Sequence, residues 1–85
     1  MLLFKYERMV KMVKTIHLTP DEVQHFVEVA SGCDFDIDIS YNRYVVDAKS
    51  IMGIFSLDLS KPIKAEIHAD DASQFLAEID RVIIK

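Results

Sequence analysis

The stretch Arg43-Tyr44-Val45-Val46-Asp47-Ala48-Lys49-Ser50-Ile51-Met52-Gly53-Ile54-Phe55-Ser56-Leu57 decides the fold. Ser50 stands ahead of an apolar run and is a good N-cap, so the pattern predicts a short helix reaching about Leu57. Just before it, Arg43 to Val46 reads as a strand, and Asn42 supplies the tight turn into it. Residues 34–40 alternate: Phe35, Ile37 and Ile39 share one parity, and Asp34, Asp36, Asp38 and Ser40 the other. That is a half-buried strand on an antiparallel sheet. Beyond the short helix, Pro62 opens a last strand in which Ile63, Ala65 and Ile67 alternate with Lys64, Glu66 and His68. Asp70 or Asp71 then caps a final helix whose inner face holds Ala72, Phe75, Leu76, Ile79 and Val82 or Ile83.

Toward the N-terminus, Met9 to Leu18 predicts a strand with Val10, Met12, Ile16 and Leu18 on one parity, and Lys14 interrupting that face shortens the usable length. Helix punctuation follows at once. Thr19 is the cap, Pro20 takes the first helical position, and Glu22 lies three residues after the cap, which makes a capping box. Leu18 and Val23 occupy hydrophobic-staple positions, and Val23, Phe26, Val27 and Ala30 form one apolar stripe. Gly32 is expected to close the helix in the left-handed conformation. The order is β-α-β-β-α-β-α, an α+β fold. Every helix has one apolar face and every strand one apolar parity, so the simplest solution is a single antiparallel sheet with all helices on one side.

A chain of 85 residues, 51% hydrophobic and 28% charged, supports one core and reads as an ordinary globular domain. Residues 1–11 are expected to be an N-terminal extension or the start of the first strand, and 12–85 the domain proper. Residues 1–14 carry a charge of +3 and the remainder −7. An acidic body argues against a nucleic-acid partner. Met1-Leu2-Leu3-Phe4 is too short for a signal-peptide core, and no apolar run approaches membrane-spanning length. Cys33 is the only cysteine, which excludes an intrachain disulfide and fits a reducing cytoplasm. Asp34 beside it disfavours the thiolate, so a packing role is expected. Asp34, Asp36 and Asp38 do not continue as a calcium loop, because Ile39 stands at the glycine position and Val45 at the glutamate position. No metal and no cofactor are expected. No Gly-rich loop or polar cluster points to a small-molecule ligand.

The run Asp47 to Leu57 resembles the segment around the regulatory serine of HPr, the histidine-containing phosphocarrier of the bacterial sugar phosphotransferase system. In that family it typically reads Asn-Ala-Lys-Ser-Ile-Met-Gly-Val-Met-Ser-Leu. The resemblance spans roughly residues 12–83 and is strongest from Arg43 to Leu59. It implies an open-faced β-sandwich: four strands in the order 1-4-2-3 with three helices on one face. It also implies where the chemistry should be, since the family carries Gly-Leu-His-Ala-Arg-Pro at the first helix start. Phe26-Val27-Glu28-Val29-Ala30-Ser31 resembles the family's Phe-Val-x-x-Ala-Ser. Counting back from it without gaps sets Thr19 at the phosphoaccepting histidine and Asp21 at the arginine. A threonine hydroxyl cannot replace a neutral imidazole nucleophile, and Asp21 and Glu22 repel phosphate. The rival is Ile16-His17-Leu18-Thr19-Pro20 with His17 as phosphoacceptor. It needs two extra helical residues, which would turn the apolar stripe by about 200°. His25 and His68 are expected to face solvent without motif partners.

The resemblance therefore implies a non-catalytic regulatory or interaction protein, similar to the catabolite-repression HPr paralogue that lacks the active histidine. In low-GC Gram-positive bacteria the serine matching Ser50 is phosphorylated by an ATP-dependent serine kinase, and the product is corepressor for a catabolite-control transcription factor. Ile51, Met52 and Phe55 match the family's apolar docking patch, and Lys49 is expected to assist a phosphate on Ser50. The alternative is a working phosphocarrier that relays a phosphoryl group from Enzyme I to sugar transporters through His17.

Overall fold

The computed structural model describes residues 12–85. The elements are β1 (Met12–Ile16), α1 (Pro20–Ser31), β2 (Ile37–Tyr41), β3 (Tyr44–Asp47), α2 (Ile51–Phe55), β4 (Ile63–Ile67) and α3 (Ser73–Glu78), closed by a 3-10 turn at Asp80–Val82. The four strands form one sheet in the order β1-β4-β2-β3, with every neighbouring pair antiparallel. Topology and element order are those expected. The expectation for residues 1–11 lies outside the described residues.

Alternation makes the core. Ile16, Ile37, Ile39, Ile63, Ala65 and Ile67 are fully buried on one face of the sheet. The helices bring Val23, Phe26, Ala30, Ile54 and Phe75 to meet them. Burying a side chain of the size of Ile or Phe is worth about 1.5–3 kcal/mol, so this layer carries the fold. Phe75 anchors it by edge contacts with Phe26 and Phe35, ring centroids 6.0 and 6.4 Å apart.

Local details depart from the sequence reading. Strand β2 begins at Ile37 rather than Asp34, and β3 runs one residue beyond Val46, to Asp47. Phe35 still turns inward, onto Phe75, but from a loop. Asn42 makes the hairpin turn with φ of 54°, the one non-glycine residue in the left-handed region among those described. Gly32 does not take that region: its φ is −78°, and its amide still donates to the carbonyls of Glu28 and Val29. The loop just past α1 is held from farther along the chain, by Lys49 on the Cys33 carbonyl. Helix α3 is shorter than the apolar stripe foretold, because Asp71 caps the Ser73 amide at 3.0 Å and regular helix ends at Glu78. Val82 is buried from the 3-10 turn, and the chain then runs extended along β1, where the Ile84 amide donates to Thr15 O and the His17 amide to Val82 O, both at 2.9 Å.

Candidate functional site

Two helix starts hold the residues singled out by the sequence. At α1, Thr19 is extended (φ −87°, ψ 159°) and Pro20 opens the helix. The Glu22 side chain folds back, and its Oε1 accepts from the Thr19 amide at 2.9 Å and from Thr19 Oγ1 at 3.1 Å. These contacts, the amide bond first, hold the Glu22 carboxyl below its ordinary range, with the charges of Arg81 and His17 adding to the effect against partial burial. Arg81 Nε lies 3.9 Å from Glu22 Oε2. The free amides of a helix start form a natural anion site. At α1 a carboxylate of the chain itself already takes the Thr19 amide and hydroxyl there.

His17 and His25 are exposed near this corner. The His17 backbone is fixed by its bond to Val82 O, just outside the sheet. A cleft of about 230 Å³ beside α1 is lined by Phe26, Ile79 and Val82, with the three carboxylates of Asp21, Glu22 and Glu78 against Arg81 and the His25 imidazole. A larger open depression, about 650 Å³, lies near the other end of α1 and carries Glu28, Asp34, Asp71 and Glu78 with no lysine or arginine. Neither suits a phosphate group.

At α2, Ser50 is extended (φ −107°, ψ 109°), and its Oγ accepts from the Gly53 amide at 3.1 Å. The Ser50 amide donates to Asp47 O at 2.9 Å, and Ser50 O takes the Ile54 amide at 3.1 Å. No acidic residue occupies the first turn. Gly53 allows a close approach: a Cβ there would lie 3.1 Å from Ser50 Oγ and 3.2 Å from Val46 Cβ, so those neighbours would have to give way by a few tenths of an ångström. Ile54 and Leu57 are buried and hold the short helix down. Met52 (81% exposed), Phe55 (50%) and Ile51 (39%) remain at the surface. Lone exposed apolar residues are ordinary, but three on one five-residue helix form a patch.

Two features escaped the sequence reading. Lys49 was expected to stand by for a phosphate on Ser50; its Nζ instead donates to Cys33 O at 3.1 Å and so ties the loop that follows α1 to the approach of α2. The Cys33 thiol nearby is pushed up by burial, which Lys49 partly opposes. His68 keeps its outward parity but does not face water. Its side chain is only 3% exposed, and Nε2 meets Asp38 Oδ2 at 3.0 Å, while Nδ1 is buried without a hydrogen-bond partner. The register explains the pair. Asp38 lies opposite Glu66, so His68, two residues further along the chain, falls on its diagonal. Among the described residues, no group of three or more His, Cys, Asp or Glu side chains is placed to hold a metal, and no helix is long and apolar enough to cross a membrane.

A family model described as the PTS HPr component phosphorylation site matches residues 7–85. The structure is similar to the crystal structure of HPr-C-His from Thermoanaerobacter tengcongensis, with 28% identity over 84% of this chain and 89% of that one and a TM-score of 0.69. It is also similar to that of the phosphocarrier protein HPr from Bacillus anthracis str. Ames, again 28% identical, covering 84% of this chain and 95% of the other with a TM-score of 0.63.

Proposed function

This chain belongs to the HPr family of the phosphotransferase system, and we propose that within it the protein is a non-catalytic regulatory module, switched by phosphorylation at Ser50 rather than charged on a histidine. The observation that carries this reading is the contrast in charge between the two helix starts. Glu22 puts its carboxylate on the amide and hydroxyl of Thr19, the cap of α1, which aligns with the family's phosphohistidine. The first turn of α2 has a hydroxyl cap and no acid.

In the proposed reaction Ser50 Oγ attacks the γ-phosphorus of ATP on a serine kinase of the HPr type. The Oγ–P bond forms, the bond from phosphorus to the β,γ-bridging oxygen breaks, and the hydroxyl proton passes to a base of the kinase. The product gains about two negative charges and three acceptor oxygens beside the Gly53 amide. Ile51, Met52 and Phe55 flank this charge and supply apolar contact for a protein partner, such as a catabolite-control transcription factor or another phosphotransferase-system protein. The location in the cell is taken as cytoplasmic, where those partners reside.

The alternative, relay from Enzyme I to sugar transporters through His17, draws on the exposure of that ring and on Arg81 reaching the same corner. Against it stands Glu22, whose carboxylate repels a phosphoryl group there. One experiment separates the two. The protein is incubated with ATP and the serine kinase, and separately with phosphoenolpyruvate and Enzyme I, and the intact chain is weighed. The expected result is an acid-stable phosphate adduct from the kinase alone, absent from Ser50→Ala. An acid-labile adduct from Enzyme I that disappears in His17→Gln would overturn the proposal.

A further inference from the structure

The two edges of the sheet are finished differently. The chain's own tail closes the β1 edge through the Thr15–Ile84 and His17–Val82 bonds. Among the described residues, nothing comparable pairs with β3. The polarity of that open edge follows from the ladder. The His68 amide donates to Asp36 O, and the Ala48 amide donates to Ile37 O. Antiparallel pairs alternate, so even-numbered residues of β2 bond toward β4 and odd-numbered ones toward β3. Tyr44 and Val46, opposite Tyr41 and Ile39, therefore turn their N–H and C=O groups inward. Val45 and Asp47 turn their amides to the open edge. Tyr44 and Val45 are also 63% and 59% exposed, the largest apolar exposure on the sheet.

We infer that β3 pairs with β3 of a second copy of this chain, antiparallel, across a two-fold axis at Val45. In that register the two Val45 residues exchange a pair of backbone hydrogen bonds, and Tyr44 lies opposite Val46 of the second copy. Arg43 falls opposite Asp47 of the second copy, once on each side of the axis. The charges fit this register. Among the described residues Arg43 has no ion-pair partner. Asp47 uses Oδ1 on the Lys49 amide at 2.8 Å, which leaves Oδ2 to accept. Moving the axis to Asp47 or to Arg43 sets like charges opposite each other, so only the Val45 axis matches both ends of the strand. Exposed edges are usually blocked by charges that repel a second copy; here they complement one. The paired strands are short, so the dimer is weak and forms at high protein concentration.

Sedimentation velocity of the full chain, from low micromolar to near-millimolar concentration, tests this. The average mass is expected to climb toward that of a dimer. Arg43→Glu alone and Asp47→Lys alone are expected to stay monomeric, because each sets like charges across the axis. An equimolar mixture of the two is expected to associate as the wild type does, since each new glutamate then faces a new lysine. As a second readout, Val45→Cys on a Cys33→Ser background should cross-link under diamide, the two thiols being oxidised to one disulfide as diamide is reduced to its hydrazine. The Cα spacing of a hydrogen-bonded antiparallel pair, about 5.5 Å, suits that bond. A wild type that stays monomeric throughout, an Arg43→Glu variant that associates as before, a mixture that fails to associate, or a Val45→Cys variant that does not cross-link would each overturn the inference.

Discussion

Helices α1 and α2 both begin with a hydroxyl residue in an extended conformation, Thr19 and Ser50, and the two starts end up differently occupied. At α1 the third helical residue is glutamate, and its carboxylate takes the Thr19 amide. At α2 the third helical residue is glycine, and its amide is bound by Ser50 Oγ alone. At α1 a full negative charge thus lies on the cap residue's amide, whereas at α2 the Ser50 amide goes to the Asp47 carbonyl and a neutral hydroxyl holds the third helical amide. The lesson is that one side chain, three residues after a cap, decides whether a helix start has room for an added anion.

The largest expected effect breaks or keeps that contrast outright. With ATP and the serine kinase, Ser50→Ala should lose phosphate incorporation entirely, whereas Thr19→Ala should incorporate as much as the wild type. Intact-mass measurement reads both. Equal incorporation in wild type and Ser50→Ala would show that the helix start without an acid is not the accepting one.

Much of this contrast was legible in the sequence. Thr19-Pro20 with Glu22, and Ser50 ahead of an apolar run, are local signals, and the bonds they foretell reach only three residues. The strand parities of Ile37 and Ile39, and of Ile63, Ala65 and Ile67, were equally plain, because one residue of slip would expose every one of them. What the sequence hid depends on register between distant segments. His68 and Asp38 are 30 residues apart and meet because Asp38 pairs with Glu66. Lys49 and Cys33 meet because α1 ends beside the start of α2. No local pattern encodes either contact. Gly32 misled because glycine permits the left-handed conformation without requiring it.

Next in size is the stability held by the serine cap. Ser50→Ala leaves the Gly53 amide without its acceptor and is expected to cost about 1 kcal/mol. That corresponds to a fall in Tm of about 4–8 °C for a domain of this size. Urea unfolding followed by circular dichroism checks it. A loss near zero would mean that water caps this start as well as serine does.

At α1 the corresponding change is smaller at neutral pH and depends on acidity. Glu22→Gln keeps an acceptor oxygen but removes the charge, with an expected cost of about 0.5 kcal/mol at neutral pH. Because folding lowers the Glu22 pKa, its contribution is present above the unfolded carboxylate value and lost as pH falls through the folded one. The stability curves of wild type and Glu22→Gln should therefore lie apart at neutral pH and converge in acid. Ser50→Ala should show no such convergence, since its cap does not titrate. A gap for Glu22→Gln that persists in acid would assign its effect to packing and weaken the electrostatic contrast.

The smallest effect concerns the tie between the end of α1 and the start of α2. Lys49 Nζ donates to the Cys33 carbonyl, so a cation on α2's approach satisfies an acceptor in the loop just past α1. Lys49→Met keeps the aliphatic stem and removes the donor, and is expected to cost a few tenths of a kcal/mol, at the low end for a partly solvated charge. Hydrogen exchange should localise the loss. The amides of Gly32 and Cys33, which bond back into the last turn of α1, should exchange faster, while the Gly53 amide at Ser50 stays protected. If the Gly53 amide loosened too, Lys49 would be a support of the serine cap itself, and the two helix starts would differ in their supports as well as in their charge.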